Sequence, residues 1–286
     1  MNDERISLAL GEEGPDDARW AFGTGFEDPL HGVATAVPAG VDSARLAACC
    51  AALADDALVT AQRLAEWCTD APELEEELAL ANIGLDLLGQ ARLLYSRAGQ
   101  VDGTGRDEDA FAYFRGAADF RNVRLAELPR GDFAFDMVRL LVLSAWRLAL
   151  FERLACAADP VLAAVAAKGV KELAYHRQFA AEWVVRLGDG TEESRERTAR
   201  ALVEVLPWTA ELAHDGASAP FGADGGEVWE ALSDVLRRTA DAAGLSLPAP
   251  AKAPAGTGRS GEHTEHLAPL VGELQSVARE HPEARW

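Results

Sequence analysis

The sequence has 286 residues, of which 49% are hydrophobic and 7% aromatic, and its 47 acidic residues against 27 lysines and arginines give a formal charge of −20. A chain of this length can fold without disulfides or structural metals, so we expect one large domain over residues 42–286. The negative charge disfavours partners such as nucleic acids and anionic membrane surfaces. No stretch of about 20 apolar residues lacks a charge. The first residues are acidic, unlike a secretory signal, and together these features favour a cytoplasmic location.

The four cysteines, Cys49, Cys50, Cys68 and Cys156, have no Cys-x-x-Cys spacing and lie among alanines and leucines. We therefore expect reduced thiols in the core. Residues 1–41 hold eight acidic residues against two arginines, with many glycines and no sustained periodicity. This composition predicts a disordered acidic extension.

From Ser43 onward, long segments rich in alanine and leucine predict an all-α fold. The first helix has Asp42 or Ser43 as its N-cap and runs to about residue 68. The second opens at Pro72 and ends at Gly99. Its predicted buried stripe consists of Leu74, Leu78, Ala81, Leu85, Leu88 and Tyr95.

The third long helix, about 133–157, is apolar on nearly every side, which is typical of a central element. Asp159 and Pro160 are the cap and first residue of a fourth helix that runs to Gly188. Two hairpins of long helices, joined by residues 100–131, predict a ferritin-like four-helix bundle. Accessory helices follow at about 191–213, 225–242 and 262–280, the last after a Pro/Ala/Gly-rich linker at 245–261.

Bundles of this kind often hold two irons, which need a carboxylate from each of two helices and a Glu-x-x-His from each of the other two. In this sequence only Glu211 and His214 have that spacing, on an accessory helix, where a chance match is the better explanation. The long helices instead carry polar residues at other spacings. These are Asp55, Asp56 and Glu66 on the first, Asn82, Asp86 and Gln90 on the second, and Glu172 and His176 on the fourth.

Two interpretations of these residues stay open. They form an internal hydrogen-bonded network with surface pairs, or they are the remains of a metal site whose ligands were replaced, with Asp86, Gln90, Glu172 and His176 as candidates. Neither leaves an iron site, so we predict no metal ligand, cofactor-binding residue or catalytic residue on this chain. His263 and His266 have a spacing that suits zinc, but capping of a helix start is the favoured interpretation.

Several separated segments carry a family resemblance: QRLAEWC at 62–68, APELE at 71–75 and LALANIGLDLLGQAR at 78–92. Further matches lie within 145–151 and 171–191 and from 263 to the last residue, 286. Over about residues 53–286 the chain resembles the C subunits of bacterial phenylacetyl-CoA epoxidases, also called ring 1,2-phenylacetyl-CoA monooxygenases. Runs this long and this far apart are more specific than any short motif.

The resemblance implies a structural subunit without an active site. In that family, a multicomponent di-iron oxygenase converts phenylacetyl-CoA into its ring epoxide during aerobic phenylacetate catabolism. The ferritin-like C subunit pairs with a homologous A subunit that carries the di-iron centre. A small B subunit and a reductase with flavin and an iron–sulfur cluster complete the system.

The ligand pattern agrees with this implication. On the second helix, aligning Gln90 with the histidine of a Glu-x-x-His motif places Leu87 at the glutamate position. On the fourth helix His176 is present, but Leu173 lies at the glutamate position. Two alternatives remain at this point. One is an autonomous di-iron oxygenase or ferroxidase, and the other is a helical interaction protein that belongs to no oxygenase.

Overall fold

The computed structural model describes residues 30–248 and 255–284, and within these ranges it contains helices and no strand. In chain order the α-helices are α1 (Ser43–Ala65), α2 (Leu74–Val101), α3 (Glu108–Tyr113), α4 (Phe133–Leu154), α5 (Pro160–Gly188), α6 (Glu192–Val205), α7 (Thr209–Ala213), α8 (Gly225–Ala242) and α9 (Leu267–Glu280). No helix in the described ranges combines the length and the apolar character that crossing a membrane requires.

Four long helices form the bundle. α1 packs along α2 and α4 packs along α5, and the two hairpins meet where α2 contacts α5. α6 and α8 pack against α4, while α9 covers parts of α1 and α3. The prediction of an all-α, ferritin-like bundle is confirmed.

Local sequence signals fix several helix starts. The Asp42 carboxylate accepts hydrogen bonds from the backbone N–H groups of Ala44 and Arg45, which makes it the N-cap of α1. Asp159 caps α5 in the same way, and Pro160 is its first residue, as predicted. The residues of α4 are buried on nearly every side, so this helix is central, also as predicted.

The prediction of the buried face of α2 is right for Tyr95, which is 1% exposed, and wrong for its leucines. Leu74, Leu78 and Leu85 are 65%, 55% and 64% exposed. The core stripe instead consists of Leu80, Ile83, Leu87, Ala91, Leu94 and Ala98. Both stripes have apolar residues at spacings of three and four, so periodicity alone identifies two faces and does not say which one faces the bundle.

Gly99 does not end α2, which continues to Val101. A Cβ atom at this position would lie 1.8 Å from the carbonyl oxygen of Arg106. The close approach of the following loop therefore requires a glycine at this position. The glycine is there for this contact and does not end the helix.

Three further expectations need correction. Residues 30–41 are not a disordered extension, because Leu30, Val33, Val37 and Val41 pack against the core, and residues 1–29 lie outside the described residues. The last helix begins at Leu267 and not at residue 262. Cys49 and Cys50 are buried, as expected, but Cys68 and Cys156 are exposed.

Candidate functional site

The four candidate residues of a former metal site come together where α2 faces α5. Asp86 Oδ2 lies 3.0 Å from His176 Nε2, and Gln90 Nε2 donates a 2.9 Å hydrogen bond to Glu172 Oε2. The other oxygen of Glu172 pairs with Lys168 one helical turn earlier. The spacing of four residues on both helices places these two pairs one above the other.

A guanidinium that the sequence analysis did not identify lies beside them. Arg147, on the central helix α4, is 4% exposed. Its Nε donates a 2.9 Å hydrogen bond to Gln90 Oε1, and its Nη1 donates one of 2.9 Å to the carbonyl oxygen of Leu53 on α1. Arg147 therefore connects α1, α2 and α4 through a cation at the centre of the bundle.

The space around this cation is closely filled. The guanidinium carbon of Arg147 lies 4.4 Å from the centre of the Phe151 ring. A Cβ atom on Gly169 would lie 2.7 Å from that ring and 3.4 Å from Gln90 Cδ, so only glycine lets α5 approach this closely. The adjacent cavity measures about 20 Å³, and Leu87 and Leu173 contribute to its lining. It is too small for a substrate such as an acyl-CoA.

Burial is the main cause of the pKa shifts of the charged groups in this interior. Removal from water lowers the pKa of Arg147 to about 10, against the raising effect of Asp56, and an arginine with this pKa is charged at neutral pH. Burial likewise raises the pKa of Asp56 above its usual range, although Arg259 and Arg147 oppose the shift. Asp56 Oδ2 lies 4.0 Å from Arg147 Nη1, so the positive charge faces a carboxylate that already has a second arginine.

These side chains do not fit a di-iron centre. The two positions that complete the Glu-x-x-His motifs are Leu87 and Leu173, and neither can bind a metal. Glu172 is occupied by Gln90 and Lys168, and a guanidinium repels the cations that the site would need to hold. In the described ranges, no group of three or more His, Cys, Asp or Glu side chains converges as metal ligands do.

Two acidic residues of α1 bind segments that lie outside the four long helices. Asp55 pairs with Arg115 and accepts a 2.5 Å hydrogen bond from the Tyr95 hydroxyl. Asp56 accepts hydrogen bonds from Arg259 at 2.7 and 2.9 Å and from the backbone N–H of Val123 at 2.8 Å. These buried carboxylates attach the 115–123 and 257–261 segments to the bundle.

The remaining candidates are also engaged in structural contacts. Glu211 accepts hydrogen bonds from Thr257 and from the backbone of Gly258, while the His214 ring faces the carbonyl oxygen of Ala210, so the two do not converge on a common ligand position. Glu66 pairs with Arg63 at 2.6 Å, and Asn82 is exposed.

His263 does not cap α9, contrary to our expectation. Its Nδ1 lies 2.6 Å from Glu127 Oε1, and Thr264 donates to the other oxygen of Glu127. These contacts hold residues 263–264 outside the helix. His266 is the residue before α9, and its side chain makes no capping hydrogen bond.

The fold places the chain among the ferritin-like all-α proteins, and a buried polar network lies between its long helices. The phenylacetic acid catabolic protein family matches residues 33–286, and the chain belongs to this family. It is 42% identical over 250 residues to the C subunit of the 1,2-phenylacetyl-CoA epoxidase of Escherichia coli (strain K12), a match that covers 82% of this chain and 96% of that protein. The family resemblance inferred from the sequence is confirmed.

Proposed function

We propose that this chain is a subunit of a phenylacetyl-CoA epoxidase that does no chemistry itself and pairs with a homologous subunit bearing the di-iron centre. The similarity to the C subunit of such an epoxidase supports membership of the complex. The observation that supports a non-catalytic role is the position of Arg147. It donates to Gln90 and to Leu53 at the place where a metal-binding bundle needs an open, anionic pocket.

The polar network has a structural purpose in this proposal. Each of the four bundle helices contributes a hydrogen-bonding group to it, through Leu53, Gln90, Arg147 and Glu172. Buried hydrogen bonds between the helices fix their relative positions, although the Nη2 nitrogen of Arg147 has no hydrogen-bond partner in the described part of the chain. A bundle held in this way is rigid. Its surface can therefore position the helices of the catalytic partner.

By family resemblance, the proposed partners are the iron-bearing A subunit, the small B subunit and the reductase with its flavin and iron–sulfur cluster. The reductase and the A subunit would then supply the electrons and the oxygen chemistry. This chain contributes the fold that supports them.

Iron loading tests the proposal. After anaerobic incubation with Fe²⁺ and desalting, elemental analysis of the purified full-length chain should find far less than one iron per chain. The iron-bearing subunit of the same complex, treated in parallel, is the positive control and should retain about two irons.

Two results would contradict the proposal. One is about two irons per chain that disappear in the Glu172→Ala or His176→Ala variant. The other is a hundredfold loss of turnover in an assembled complex that carries His176→Ala, with assembly and melting temperature unchanged. Such a loss would give this chain a direct part in the reaction.

A further inference from the structure

The outer face of α2 carries an apolar stripe that the described part of the chain leaves largely uncovered. We call Leu74, Leu78, Ala81, Leu85 and Leu88 the α2 leucine stripe. Its leucines are 65%, 55%, 64% and 36% exposed, in chain order. The intervals between the five residues are four, three, four and three, which is the spacing of a helix that packs along a second helix.

The stripe leucines are not part of the hydrophobic core of this subunit. The inward face of α2, with Ile83 and Leu87, already provides its contacts with the bundle. Leucines that remain in water lose the free energy that burial would supply, and contiguous apolar patches on a surface mark binding sites for other molecules.

The charges beside the stripe indicate what kind of helix it binds. From residue 73 to residue 92 there are five carboxylates and one arginine. The carboxylates are Glu73, Glu75, Glu76, Glu77 and Asp86. The arginine, Arg92, already pairs with Glu108 at 2.7 Å. A second copy of the chain would therefore bring one net negative segment against another, which is unfavourable.

We propose that the α2 leucine stripe binds a helix of the iron-bearing subunit, and that this helix carries apolar residues at spacings of three and four with lysines or arginines on its flanks. The identity of the partner rests on the proposed function. The apolar stripe supplies the contact area, and the acidic flank at Glu75 and Glu77 selects a basic partner over a second copy of this chain.

Binding measurements with full-length proteins test the inference. The wild-type chain and the Leu78→Glu/Leu85→Glu variant are titrated against the purified iron-bearing subunit from the same organism, with Kd measured by sedimentation velocity. We expect the double substitution to weaken binding at least tenfold. The matched control is Val203→Glu/Val277→Glu on α6 and α9, because these valines are 56% and 53% exposed, and it should leave Kd unchanged.

Two more variants separate folding from binding and charge from apolar contact. Leu74→Ser/Leu78→Ser should weaken binding with the melting temperature unchanged, since both side chains are exposed. Glu75→Lys/Glu77→Lys should also weaken binding, and high salt should reduce the wild-type affinity.

The outcomes are distinguishable. If the wild type binds the iron-bearing subunit and the leucine variants bind equally well, the inference is wrong and the proposed function stands. If the wild type does not bind that subunit at all, the proposed function fails. Self-association of the wild type that the Leu78→Glu/Leu85→Glu variant abolishes would instead make a second copy the occupant and overturn the inference.

Discussion

The side chain of Arg147 is a buried cation that links three helices of the bundle. Its substitution by methionine would leave Gln90 Oε1 and the Leu53 carbonyl oxygen without their buried donor. We expect a loss of about 3 kcal/mol of unfolding free energy in urea denaturation. Arg238→Met is the control, because Arg238 is 70% exposed, and its effect should be at most about 0.5 kcal/mol.

A double substitution makes this prediction specific to the network. Arg147→Met combined with Gln90→Met removes both partners of one hydrogen bond, and replacing both costs less than leaving one unsatisfied. The double variant should therefore be more stable than the sum of the two single changes predicts. A single Arg147→Met variant as stable as the wild type would show that the guanidinium is not needed to hold the helices.

The sequence indicated which polar residues of α2 and α5 lie close together, but it did not indicate the buried arginine beside them. Asp86, Gln90, Glu172 and His176 are found by helical spacing, because residues four apart share a helix face. Arg147 is one of three arginines on the mostly apolar helix α4, and its partners Gln90 and Leu53 are far away in the sequence. The residues three and four positions from Arg147 are all uncharged, and this is the pattern in the sequence that indicates a buried cation.

At the scale of helices and loops, local signals predicted bounds well where a cap and a proline coincide, as at Asp159 and Pro160 of α5. They failed at the start of α9, because Glu127 draws His263 and Thr264 out of the helix. No short-range pattern reports a contact with a residue 136 positions away. The prediction of the buried face of α2 failed for a related reason. Which of its two apolar faces is buried depends on the positions of α1 and α5.

The contact between His263 and Glu127 makes the attachment of the 257–264 segment sensitive to pH. Burial lowers the pKa of His263, but the hydrogen bond and charge of Glu127 outweigh it and raise the pKa above its ordinary value. The protonated imidazole therefore adds stability that is fully present below the unfolded-state pKa and is lost as the pH rises through the raised folded-state pKa.

Melting temperatures of the wild type and His263→Gln at about pH 5.5 and about pH 9 check this expectation. The advantage of the wild type should be larger at the lower pH. His281→Gln, at an exposed position, is the control and should show no such dependence. An advantage that grows with pH would contradict the assigned charge state.

At the scale of the whole molecule, segments before and after the bundle helices are attached to them by arginines with little exposure to solvent. Arg97 is 1% exposed, pairs with Asp159 and donates a 2.7 Å hydrogen bond to the carbonyl oxygen of Thr35. Arg259 bridges Asp56 and Asp215, and the two carboxylates raise its pKa well above its ordinary value although burial lowers it. Residues near both ends of the described chain thus contribute to the stability of the bundle.

Truncation tests the contribution of the segment before α1. The chain that lacks residues 1–29 is the reference, because residues 30–41 keep their contacts in it. Removing residues 1–41 also deletes the acceptor for Arg97 and the packing of Val33 and Val37. We expect this to cost about 2 kcal/mol, or about 4–8 °C in Tm. Equal Tm values for the two truncated chains would show that the segment contributes nothing.

The cation at the centre of the bundle is a side chain, so it is a covalent part of the protein and not a bound ion. A metal-holding bundle gains stability from its ion only when the ion is present, so its folded population depends on the free concentration of that ion. Arg147 instead supplies its charge to Gln90 and Leu53 at a fixed one equivalent per chain. Chelators cannot remove this cation, and neither iron scarcity nor exchange for a competing metal alters it. The contribution of this side chain to folding is therefore independent of the cell's supply of metal.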